Sequence, residues 1–256
     1  MEISDLFKSC HGPINFKNVV PLENANEFAE YFGVDSKFFL RDTKRLINPV
    51  FYFDGLVYIP MMSPEIETLK QFYKLTSESN HADMVAGFKK TVAHFHSLRA
   101  QKDYTRLFSI TDKKILIKLF TELYNEIPDE QKYEIFVDLY VRSEFGFDLF
   151  NEVQLEDLFV NQRHNSKDWE KRMRDLKKLA KDKMLTIYHG YSGDGDVNDE
   201  MSWTLSRKTA QFFANRFNAR GKIKMKIVKV EHVLDFFEQR GEQEVLLNIK
   251  NTNELI

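Results

Sequence analysis

Residues 222–230, KIKMKIVKV, alternate lysine and aliphatic side chains so nearly strictly that only an extended strand sorts them cleanly onto two faces. Ile223, Met225 and Ile227 then share one face and Lys222, Lys224 and Lys226 the other, as in a half-buried strand with its aliphatic side inward. Around it, LTIYHGY at 185–191 is a second β-rich run closed by Gly190, and SRKTAQFFANRF at 206–217 resumes a helical period from a Ser206 cap. HVLDFFEQR at 232–240 reads as a short helical or turn segment and EQEVLLNI at 242–249 as a last strand. Strand, helix, strand, turn, strand in that order makes an α+β unit.

The first 160 residues have a different texture. They read as mainly helical with one β signal, VFYFDGLVYI, where Asp54-Gly55 between two aromatic and β-branched runs predicts a tight hairpin. Helical periods run through MVAGFKKTVAHFHSL and KKILIKLFTELYNEI, the second ending at Pro128. Another begins after Asp129 with Tyr133, Phe136, Val137 and Tyr140 at spacings of three and four. Between the two textures DWEKRMRDLKKLAKDKML predicts an amphipathic helix with Trp169, Met173, Leu176 and Ala180 on one stripe and a solvated basic face around it. The expected organisation is a mainly helical region with one hairpin over 1–160 and a second domain over 161–256.

A chain of 256 residues with 43% hydrophobic and 30% charged side chains has a soluble globular composition. Its 23 phenylalanines predict cores filled by flat rings. A net charge of −2 argues against coating nucleic acid by bulk charge, although a local basic face stays open. The one cysteine, Cys10, excludes an intramolecular disulfide and a cysteine zinc cage, and reads as a small core residue. The N-terminus lacks a signal-peptide pattern and no stretch approaches about 18 uninterrupted apolar residues, so a cytoplasmic protein without a membrane role is expected.

Several motifs fail on inspection. SGDGDVNDEMS opens like a calcium loop with Asp194, Asp196 and Asn198, but Asp199 stands where glycine is required and Leu205 where the bidentate glutamate is required. His94 and His96, two apart on a helix, point to different sides, so no metal is expected there. No phosphate-loop, dinucleotide-binding or serine-hydrolase motif occurs. What remains is YHG at 188–190, SWT at 202–204 followed by AQFFANRF, and EQE at 242–244, in that order.

This set resembles the signature of the mono-ADP-ribosyltransferase superfamily, the toxin-like enzymes that use NAD. The resemblance covers roughly residues 165–250 and implies a compact split β-sheet domain. By resemblance Glu244 is the catalytic carboxylate that stabilises charge on the nicotinamide ribose, and Glu242, on the same face of the strand, orients or deprotonates the acceptor. His189 would bond a ribose hydroxyl and the Gly190 backbone the nicotinamide amide. Ser202 and Thr204 would brace the nicotinamide pocket and orient Glu244. Trp203 lies within the cofactor-binding motif but reads as core packing, as do Phe212, Phe213 and Phe217.

The carboxylate's role follows from chemistry. Cleaving the nicotinamide–ribose bond develops positive charge at the anomeric carbon, and a fixed carboxylate stabilises that charge more as it grows. Histidine at 189 combined with S-x-T and E-x-E mixes two branches of the superfamily, so the acceptor stays open between a protein side chain such as arginine and a nucleic-acid base. The expected function is ADP-ribose transfer from NAD to a macromolecule by an intracellular toxin, effector or phage-conflict protein. Residues 1–160 would select the target, restrain the enzyme or bind an inhibitory protein partner. The rivals are an NAD glycohydrolase and a non-catalytic binding module with a degenerate transferase fold.

Overall fold

A computed structural model describes residues 14–44, 50–61, 81–143, 146–191, 201–216, 221–238 and 241–247. Cys10, Phe217 and most of the acidic loop beginning at Ser192 fall outside these residues. The chain divides into two compact units, Met1–Asn165 and Ser166–Ile256. Both combine helices with an antiparallel sheet, so the α+β expectation holds at that level.

In the first unit β1 (Val19–Pro21), β2 (Phe39–Asp42), β3 (Val50–Phe53) and β4 (Tyr58–Pro60) form an antiparallel sheet in sequence order. The Asp54-Gly55 hairpin is its β3–β4 corner. Gly55 takes φ +91°, and Asp54 Oδ1 accepts from the backbone N–H of Leu56 at 3.0 Å and of Val57 at 2.8 Å. Strands β1 and β2 correct the expectation of a single hairpin. At three or four residues each they are too short for alternation to separate strand from helix.

Among the described residues this unit has six α-helices: α1 (Ala25–Phe32), α2 (His81–Ala100), α3 (Tyr104–Ile110), α4 (Leu116–Leu123), α5 (Asp129–Arg142) and α6 (Glu152–Glu156). Tyr133, Phe136, Val137 and Tyr140 of α5 are all buried, as their spacing requires. Rings fill the interior: Phe136 meets Phe159 edge-on at 5.5 Å, and Phe32 lies 4.5 Å from Phe88.

A partly buried polar knot closes the helical part. Asp157 accepts from the Tyr124 hydroxyl at 2.7 Å and from the Asn161 and Gln162 side chains at 2.9 and 3.1 Å, with Lys132 Nζ at 3.6 Å. Burial pushes its carboxyl upward, but the hydrogen bonds of Asn161, Tyr124 and Gln162 and the Lys132 charge outweigh that and hold it below the ordinary value. A depressed carboxyl stabilises the fold above its unfolded pKa, and that contribution is lost as pH falls below about 4. Asp157→Asn is expected to flatten the acid limb of a plot of urea midpoint against pH. An unchanged limb contradicts this assignment.

In the second unit α7 (Trp169–Leu179) precedes β5 (Met184–Tyr191), β6 (Ser202–Thr204), α8 (Arg207–Asn215), β7 (Lys222–Lys229), β8 (Val233–Phe237) and β9 (Glu244–Leu247). The sheet runs β7-β5-β6-β9-β8, every pair antiparallel. Met173 and Leu176 of α7 pack with Leu185, Ile187, Trp203, Val228 and Val245, and Trp169 and Ala180 join at the edge. The predicted stripe is therefore the helix's core face. Ser206 caps α8 as expected, accepting from Thr209 N at 3.2 Å.

Three expectations are corrected. On β7 the aliphatic face is the exposed one: Met225 is 59% and Ile227 53% accessible, whereas Lys224 and Lys226 are half-buried. The alternation changes phase at Ile227-Val228, and it is Val228, on the lysine side, that enters the core with Val230. The segment expected to be helical or a turn contains β8, whose residues are all buried and thus carry no alternation. Phe212 is 64% exposed rather than core, because α8 faces the sheet with Ala210 and Ala214.

That choice of small residues has a cause. A Cβ on Gly190 would lie 1.8 Å from the Ala210 carbonyl oxygen, and one on Gly221 1.8 Å from that of Ala214. The α8 backbone therefore rests directly on β5 and on the entry to β7. Gly190→Ala must displace the helix, and we expect a loss of about 3 kcal/mol, read from urea denaturation. A midpoint within error of wild type contradicts so close an approach.

Candidate functional site

Strand β6 lies between β5 and β9 and carries the middle motif. Ser202 stands opposite Leu246, Trp203 opposite Val245 and Thr204 opposite Glu244. Ser202 and Glu244 thus lie on one face, offset diagonally, and the Ser202 hydroxyl donates to Glu244 Oε1. Both residues are half-buried. The carboxylate is held by a neutral donor and retains solvent access.

On the other side β6 meets β5 through one register pair, Tyr188 with Thr204. By contrast β5 and β7 pair along all of Met184–Tyr191. The sheet accordingly parts between β5 and β6 just past Tyr188. Across the opening His189 Nδ1 lies 2.8 Å from the Ser202 carbonyl oxygen. A carbonyl only accepts, so Nδ1 bears the hydrogen and Nε2 is directed elsewhere. His189, Ser202 and Glu244 form one connected chain, although alternation puts the imidazole on the Trp203 face and the Ser202–Glu244 pair on the other.

Other members of the motifs have supporting positions. Trp203 is 1% exposed, its ring 5.4 Å from His189 with Lys226 Nζ 4.9 Å above it. It packs in the core and offers no surface to a cofactor. Thr204 is likewise buried; its hydroxyl donates to the Glu242 carbonyl and accepts from Ser206 N at 3.0 Å. Its side chain ties the EQE turn to the start of α8 and is occupied in doing so. The missing Cβ of Gly190 is explained by α8, independently of any ligand.

Glu242 departs from the expectation. Strand β9 begins at Glu244, and Gln243 has φ +47°, a left-handed turn, with its carbonyl accepting from Leu205 N at 3.0 Å. The same-face rule for residues two apart holds only along a continuous strand. Glu242 and Glu244 are therefore not a side-by-side pair on β9.

Sequence reasoning missed Arg172 and Asp235. Arg172 of the basic helix turns inward and forks onto Asp235 of β8, Nε to Oδ1 at 2.8 Å and Nη2 to Oδ2 at 2.6 Å. Nothing in the sequence marked this pair, since Asp235 lies in a run with no readable period. Among the described residues no group of His, Cys, Asp and Glu is placed to hold a metal, His96 instead meeting Asp54 at 2.8 Å. No described helix is long and apolar enough to cross a membrane. No protein-family model, curated protein or solved structure matches the chain.

Proposed function

We propose that the second unit is an NAD-dependent mono-ADP-ribosyltransferase acting on a macromolecular acceptor. The observation that carries this reading is the connected chain from His189 through Ser202 to Glu244 at the place where β5 and β6 part. A sheet that parts there is consistent with the split β-sheet domain that the resemblance implies. There Glu244, oriented by Ser202, faces the ribose as its bond to nicotinamide breaks. Nicotinamide leaves with the bonding pair, the acceptor nucleophile bonds to the anomeric carbon, and the acceptor's proton passes to a base or to water. His189 holds a ribose hydroxyl through the ring nitrogen not used on Ser202.

Hydrolysis of NAD is the second reading, and the displacement of Glu242 from the strand favours it. A base that does not stand beside Glu244 is poorly placed to activate an acceptor held against the ribose. Incubating the protein with cell lysate and NAD labelled on its adenylate separates the readings. Label fixed on macromolecules supports transfer, free ADP-ribose alone supports hydrolysis, and unconsumed NAD leaves a binding module.

A further inference from the structure

The row of residues that crosses the sheet at Glu244 leads to an open apolar edge. Glu244 stands opposite Thr204, Thr204 opposite Tyr188, and Tyr188 opposite Met225. Residues directly opposite share a face, so this row crosses β9, β6, β5 and β7 on the side that carries Ser202. Two residues along each strand, Thr186 stands opposite Ile227 on the same face. Thr204 is buried and closed by its bonds to the Glu242 carbonyl and Ser206 N. The accessible parts of the row are therefore Glu244 at one end and Tyr188 with Met225 at the other. Tyr188 is half-buried, Thr186 is exposed, and Met225 and Ile227 keep more than half of their surface in solvent. In the other direction, at Gly190 opposite Ile223, α8 lies on this face and bounds the open area. By alternation Lys222, Lys224 and Lys226 project from the opposite side of β7.

Resting on the transferase reading above, we propose that Tyr188, Met225 and Ile227 form an acceptor-docking surface, which takes apolar side chains flanking the modified residue of a protein. Charge selects this occupant. Thr186, Tyr188, Met225 and Ile227 are uncharged and share their face with a carboxylate, so a phosphodiester chain laid across them is repelled by Glu244 and meets no lysine of the β7 row. A protein segment brings no backbone charge and covers apolar surface that water otherwise meets. Neighbouring strands lie about 4.8 Å apart, which puts Tyr188 about 10 Å and Met225 about 14 Å from Glu244 across the sheet. An extended segment advances about 3.4 Å per residue, so its side chains about three and four positions from the modified residue meet Tyr188 and Met225. The nucleophile's lone pair bonds to the ribose anomeric carbon, nicotinamide leaves with the bonding pair, and the nucleophile's proton passes to water.

The test incubates the full chain with cell lysate and adenylate-labelled NAD, measures label on protein relative to free ADP-ribose, and maps the modified residues by mass spectrometry. Met225→Gln with Ile227→Thr makes the surface polar at two exposed positions, so the urea midpoint is expected to stay within error of wild type. The ratio of protein label to free ADP-ribose is expected to fall about 10- to 100-fold. Val153→Thr with Val160→Thr, a like change at exposed sites in the first unit, is expected to leave the ratio unchanged. Mapped sites are expected to carry Leu, Ile, Val, Met or Phe three or four positions away more often than unmodified residues of the same type do. An unchanged ratio in the β7 variant, an equal fall in the control, mapped sites without that context, or label on nucleic acid overturns the docking surface while the transferase reading stands. Free ADP-ribose alone from the wild type overturns it in favour of hydrolysis. Unconsumed NAD overturns the transferase reading and the docking role with it.

Discussion

Glu244→Gln is expected to lower NAD turnover by about 10²–10³-fold with little change in fold. Glutamine has nearly the shape of glutamate, and its carbonyl oxygen still accepts the hydrogen bond that Ser202 donates to Glu244. The substitution therefore removes one negative charge and little else. That charge matters most when the nicotinamide–ribose bond is breaking, so kcat falls while KM for NAD stays close to wild type. Loss of a binding contact alone gives the opposite division, with KM raised and kcat kept. The assay is initial-rate NAD consumption alongside urea denaturation. Wild-type turnover removes Glu244 from the reaction, whereas lost activity with an equally lowered midpoint assigns it a structural role. Ser202→Ala, which leaves the carboxylate without that donor, is expected to have the same sign and a smaller size.

Much of the fold was legible because local chemistry and tertiary packing agree. Ser206 reads as a cap and is one, and the Trp169, Met173, Leu176 stripe of α7 reads as a core face and packs on the core, with Met173 and Leu176 buried and Trp169 at its edge. Strand β7 shows the limit: the alternation was correct, but a face becomes inner or outer according to which neighbour the strand joins. Its single phase change at Ile227-Val228 assigned the core to the lysine side. Strand β8 was illegible for the opposite reason, since burial of all of Val233–Phe237 erases periodicity. At the candidate site the order of the three motifs anticipated which residues gather around β6. It gave no hint that Gln243 turns left-handed, because that conformation depends on the Thr204 hydroxyl and Leu205 N–H gripping the turn from outside.

Asp235→Ala is expected to cost about 3–5 kcal/mol and to unfold much of the second unit under mild denaturing conditions. Asp235 is fully buried, and three donors converge on its carboxylate: Arg172 Nε, Arg172 Nη2 and the N–H of Phe236 at 2.7 Å. Truncation leaves a guanidinium whose side chain is 19% exposed in a pocket built for an ion pair, its Nη2 donating to the Ser166 hydroxyl at 3.2 Å and its Cζ 5.3 Å from the Phe237 ring. Desolvated charge without its partner dominates the cost, so removing both charges is less harmful than removing one. Arg172→Met with Asp235→Leu is accordingly expected to recover most of the lost stability. The loss falls in one place, because α7 meets β8 through this pair and through the Trp169 Nε1 bond to the Leu234 carbonyl at 2.9 Å. The protein carries its own probe for this, since its two tryptophans, Trp169 and Trp203, both lie in the second unit. Tryptophan fluorescence in urea therefore follows that unit alone. A single substitution that leaves the fluorescence midpoint unchanged, or a double substitution no better than the single one, refutes the pair as the clamp between helix and sheet.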